Sequence, residues 1–176
     1  MSLKPYAKLT WWQIALISIA ASAIGGLVSR RSSKKERKVY NEELEQAPWA
    51  PPGWVFAPAW TINNFFVLLG LQRLLLSNIS DRKKLMVLQA MIWVIFFSFG
   101  YIYIYFNKKS STLAAIWTIS DMALAMSSFI IAYRPDKKLA FCYLPLFMWT
   151  TFAGTVAVYQ ALKNPDPVFK TEALLD

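Results

Sequence analysis

The residues with the most chemical potential are rings and amides rather than acids and bases. Three tryptophans and three prolines are packed into the run Trp49-Ala-Pro51-Pro52-Gly-Trp54-Val-Phe56-Ala57-Pro58-Ala-Trp60-Thr61. Trp93, Trp117 and Trp149 follow inside long apolar stretches. Indoles offer broad flat contact and one N–H donor each, so several on facing helices suit a planar apolar ligand. Asp121 stands mid-stretch, and Asn63, Asn64 and Gln89 add polar groups at similar depth. Such groups are costly in a membrane and face a neighbouring helix or a cavity. For Asp121 the chemical reading is a proton or ligand contact. The simpler one is a carboxyl hydrogen-bonded to another helix, and the same choice applies to Asn63, Asn64 and Gln89.

Other chemistry is excluded by composition. The chain has no histidine, which removes the commonest metal ligand, haem ligand and general base. The single cysteine, Cys142, rules out an internal disulfide and reads as a small packing residue. No P-loop, dinucleotide-binding glycine pattern or paired-cysteine motif is present. Hydrolytic and metal catalysis are therefore not expected, and no cofactor or metal is implied.

The elements that must position these residues are membrane helices. The 176 residues are 56% hydrophobic with mean hydropathy +0.35, too apolar for an ordinary soluble domain. Charge-free runs extend from Leu9 to Val28, Trp54 to Gln72, Leu85 to Phe106, Leu113 to Tyr133 and Leu139 to Leu162, broken only by Asp121. Each approaches the ~20 residues that cross ~30 Å of hydrocarbon. The expectation is an all-α integral membrane protein, one domain over 1–176, with spans near 9–28, 54–76, 85–106, 113–133 and 139–162. Short connections make neighbouring helices antiparallel. The exception is a long loop, 29–53, read either as a lid over the bundle or as a disordered linker.

The net charge of +9 fits basic loops meeting anionic lipid headgroups rather than nucleic acid, because no soluble mass surrounds the cluster from Arg30 to Lys38. Nine basic residues fall on one side of a five-span bundle and ten on the other, so orientation stays open. The dense cluster after the first span favours that side as cytoplasmic. The first span, rich in small residues from Ala20 to Gly26, follows Lys4 and Lys8 like a signal peptide. Its length and the Trp11-Trp12 pair favour retention as a helix. Tyr101, Tyr103, Tyr105 and Tyr133 read as an interfacial aromatic belt. The stretch Val156-Ala-Val-Tyr159-Gln-Ala-Leu-Lys163 fits a loose pattern proposed for cholesterol contact.

The run Trp49-x-Pro51-Pro52-x-Trp54-x-Phe56-x-Pro58-x-Trp60-Thr61 resembles the signature of the translocator protein family, the tryptophan-rich sensory proteins. The likeness extends to Gln89, to Trp117 four residues before Asp121, to Pro145-x-x-x-Trp149-x-x-x-Ala153, and to Asn164. It implies a five-helix bundle that often dimerises, in a bacterial inner or mitochondrial outer membrane. It further implies a central cavity, closed by the first loop, that takes porphyrins, in some members sterols, and synthetic isoquinoline or benzodiazepine-type ligands. By motif position the cavity would be lined by Phe56, Ala57, Trp60, Phe96, Trp117, Leu124, Trp149, Ala153 and Val156, with Tyr40 lying over it. Asn63 and Asp121 join them as polar contacts. The chain departs from the family pattern at Asn63-Asn64, Trp93, Phe96 and Ala157, which moves amides from the third and fifth helices to the second. The function implied is a membrane receptor or carrier for a planar hydrophobic ligand such as a tetrapyrrole. The alternatives are a light-dependent porphyrin-degrading enzyme using cavity tryptophans, and a scaffold without a small ligand.

Overall fold

The computed structural model describes residues 8–30, 38–97, 105–106 and 108–175, with side chains described except at 24–30, 40–41 and 94–97. Among the described residues five α-helices follow in order: α1 (Trp11–Arg30), α2 (Phe56–Leu76), α3 (Arg82–Phe97), α4 (Ser111–Tyr133) and α5 (Lys137–Lys163). Among the described residues there is no β-strand, only a bridge between Asp166 and Thr171. Among the described residues, three helical stretches are long and apolar enough to cross a membrane: Gly53–Leu76, Ser111–Tyr133 and Lys137–Lys163. α1 is apolar over Trp11–Ala23, the part of it whose side chains are described, and α3 is described over 16 residues.

Helix limits follow local chemistry. Ser110 caps α4, its hydroxyl accepting the Leu113 N–H at 3.2 Å. Asp136 caps α5, accepting the Leu139 N–H at 3.1 Å. Pro51 and Pro52 hold the chain extended (Pro52 φ −54°, ψ 144°), a 3₁₀ turn follows at Gly53–Val55, and α2 begins at Phe56. Pro58 thus falls in the first turn of α2, where its missing N–H removes no intrahelical bond.

α4 and α5 pack most extensively, α2 lies on α5 and α1, and α3 lies on α4. α2 and α5 approach closely where Gly70 meets Cys142: a Cβ on Gly70 would stand 3.1 Å from the Cys142 Cβ. Val67, Leu74, Leu85, Ala125, Leu139 and Tyr143 form the heart of the core. Polar ties cross it. The Tyr143 hydroxyl donates to Gln89 Oε1 at 2.9 Å, and Gln89 Nε2 donates to the Val67 carbonyl at 3.4 Å, so one amide joins α2, α3 and α5. Asn64 Nδ2 donates to Ser22 Oγ at 3.2 Å, joining α2 to α1. For Gln89 and Asn64 the helix-to-helix reading therefore holds.

The two ends of the bundle are fastened differently. At the end with the α2 C-terminus, Gln72 bonds the backbone of Leu9 on both its N–H (2.6 Å) and its carbonyl (3.1 Å), and Arg73 pairs with Asp136 at 2.6 Å. At the opposite end the described part of the first loop packs against the bundle. Val39 and Leu44 are buried with Tyr105 and Ala114. This corrects the aromatic-belt expectation for Tyr105, which is 2% exposed and packs edge-on against Phe106. Tyr101 and Tyr103 lie outside the described residues. Tyr133 is exposed beside Lys137, and Trp11 is 70% exposed.

Candidate functional site

A hollow opens between α2, α3, α4 and α5, lined by Trp60, Asn63, Asn64 and Val67 from α2, Ile92 and Trp93 from α3, Asp121 from α4 and Leu146 from α5. The α2 spacing explains the convergence: Trp60, Asn63, Asn64 and Val67 share one face of a 3.6-residue helix. The hollow is small. Its empty volume, counted out to the mouth, is ≈240 Å³, below the ~300–1,000 Å³ of typical small-molecule sites. The room between the side chains is about that of one water molecule.

Its walls carry unsatisfied polar atoms. Asn63 is 3% exposed and Asp121 5%. The Asn63 Nδ2 donor and the Asp121 Oδ1 acceptor are both buried without a hydrogen-bond partner. Buried polar atoms almost always find a partner, and leaving one without costs about 1–3 kcal/mol. Unlike the amides of Gln89 and Asn64, these atoms do not serve helix-to-helix bonding.

One turn towards the α2 N-terminus stands a second aromatic layer. Phe56 meets Trp149 edge-on at 5.6 Å, and Trp149 leans on Phe152 at 6.0 Å.

The first loop packs against α5. Trp49 Nε1 donates to Thr155 Oγ1 at 3.1 Å and its ring meets Tyr159 edge-on at 5.2 Å, so Trp49 clamps the loop to the flank of α5. Trp54 is 73% exposed. Of the three indoles in the signature run, only Trp60 lines the hollow. The loop end is latched by Asn164, whose Oδ1 accepts the Glu45 N–H (2.7 Å) and whose Nδ2 donates to the Glu45 carbonyl (3.0 Å). Gln160 donates to Gln46, and Lys109 pairs with Glu43. Asp166 completes this end, accepting from the Ser110 hydroxyl (2.7 Å) and the Thr112 N–H (3.0 Å). Burial alone would raise the Asp166 carboxyl, but these donors and the Phe169 N–H hold it below the usual range.

Comparison with known proteins covers most of the chain: the model of the TspO/MBR family aligns with residues 14–162. The chain belongs to the TspO/MBR family. It is also similar to Protein CrtK of Rhodobacter capsulatus, 19% identical over 160 residues, covering 90% of this chain and 95% of the relative. With its apolar helices, this TspO/MBR chain is an integral membrane protein.

The hollow lies about one helical turn deeper than the family motif implied. Trp60, Asn63 and Asp121 line it. Phe56 and Trp149 form the layer above, and Leu124 packs against the core. Trp117 and Ala153 are half-buried and Val156 is buried, none of them among the lining residues. Ala57 is exposed. The side chains of Tyr40 and Phe96 lie outside those described. The motif leaves out Asn64, Val67, Ile92, Trp93 and Leu146. A signal for two of them was available: Val67 lies four residues after Asn63, and Leu146 three before Trp149, each on the same helix face.

Proposed function

We propose that this TspO/MBR protein is a membrane receptor or carrier for a planar hydrophobic ligand of the tetrapyrrole kind, held within a single five-span domain. The observation that carries the reading is the pairing of Trp60 and Trp93 with the unsatisfied Asn63 Nδ2 and Asp121 Oδ1 in one buried hollow. Flat indoles supply burial and stacking, and the two polar atoms supply orientation. The contracted volume means that a ligand must displace the Phe56–Trp149 layer. Binding then extends towards Ala153 and Val156, with the latched first loop governing access. A bacterial membrane is the proposed location, in keeping with the bacterial relative.

The test is titration of the detergent-purified protein with protoporphyrin IX, followed by tryptophan quenching. Saturable quenching that weakens about tenfold or more in Trp60→Ala agrees with the proposal, since losing a stacked ring costs about 1–3 kcal/mol. Quenching that never saturates, or is the same in Trp60→Ala, rules it out.

A further inference from the structure

The walls of the hollow include an orphan amide donor on α2 and an orphan carboxyl acceptor on α4, and these are complementary to each other. Asn63 Nδ2 on α2 and Asp121 Oδ1 on α4 line the same small space, yet neither atom bonds the other or anything else. Two such atoms serving only to join helices would pair directly, as Asn64 does with Ser22 and Gln89 with Tyr143. Held apart in one hollow, they match a ligand edge that offers an acceptor to Asn63 beside a donor to Asp121.

We infer that the hollow recognises a planar ring through a cyclic secondary amide, its carbonyl accepting from Asn63 and its N–H donating to Asp121. This rests on the ligand-binding reading above and adds the polar group that a planar ligand presents to these two atoms. A lactam places the two groups side by side in the ring plane, so the ring can still lie against Trp60 and Trp93. A ligand carboxylate offers no donor to Asp121 Oδ1. An amine alone would leave Asn63 unsatisfied.

The experiment compares 6(5H)-phenanthridinone, a flat three-ring lactam, with its N-methyl derivative, which keeps the rings and carbonyl but lacks the N–H. Binding is read by tryptophan quenching in the full-length protein. The lactam is expected to bind about 10–100-fold more tightly, because the methylated ring leaves Asp121 Oδ1 buried and unpaired. Asp121→Leu is expected to abolish the discrimination, and Asn63→Leu to weaken both ligands. Should either variant fail to fold, the comparison in the unaltered protein decides alone. Equal affinity for the two compounds, or binding of neither while protoporphyrin quenching still depends on Trp60, overturns the lactam assignment and leaves the receptor reading standing. Binding of neither compound, together with protoporphyrin quenching independent of Trp60, overturns both.

Discussion

The side-chain amide of Asn164 holds the backbone of Glu45 from both sides, across 119 residues of sequence. The geometry imitates a strand pair, and Nδ2 also bonds the Gln160 carbonyl at 2.8 Å. Asn164→Ala removes every one of these bonds. It should lower stability by about 1–3 kcal/mol and raise hydrogen exchange around Glu45 and its neighbours. Denaturant unfolding and exchange mass spectrometry check both. Unchanged exchange there would show that the loop is fastened elsewhere.

Asp136 joins two roles at the other end, capping α5 and pairing with Arg73. Burial raises its carboxyl, but the Arg73 hydrogen bond and the Leu139 N–H outweigh that and hold it below the usual range. A depressed folded value means the stabilisation is full above the unfolded pKa of ~3.9 and fades as pH falls through the folded one. Unfolding midpoints should therefore drop below about pH 4. The drop should shrink in Asp136→Asn, which keeps the cap but not the charge. Arg73 is partly exposed, so added salt should weaken the effect.

Gly70 sets the distance between α2 and α5. Gly70→Leu forces its side chain into Cys142, Leu139 and Tyr143. The expected loss is about 1–3 kcal/mol, measured by thermal unfolding in detergent. An equally stable Gly70→Leu would mean that the two helices separate at no cost.

Phe56 and Trp149 stand between the hollow and the loop end. Phe56→Ala should speed ligand association severalfold in stopped-flow quenching by removing half of that layer. Trp54→Ala, at an exposed ring, should leave the rate unchanged. The reverse pattern would place the route past the Trp49–Trp54 stretch.

Much of this is legible in the sequence because it depends on short-range chemistry. The proline run determines where α2 begins, charge-free stretches mark the helices, and Asp121 stands out as a lone charge at depth. The position of the site is less legible. Trp49 and Trp54 share a motif with Trp60 but lie elsewhere, because the 3₁₀ turn at Gly53–Val55 reorients the chain before α2 starts. Tyr105 reads as interfacial because its burial comes from Val39 and Leu44, far away in sequence. The role of Asn63 against that of its neighbour Asn64 is likewise hidden, since only the partner helix tells a satisfied amide from an orphan one.

The most direct measurement is ¹⁹F NMR of the protein labelled with 5-fluorotryptophan, its eight indoles assigned by single Trp→Phe substitution and titrated with protoporphyrin IX. A ligand seated in the hollow should shift Trp60 and Trp93, move Trp149 less, and leave Trp11 and Trp54 where they are. Shifts at Trp11 and Trp54 with Trp60 and Trp93 unmoved would contradict binding within the bundle.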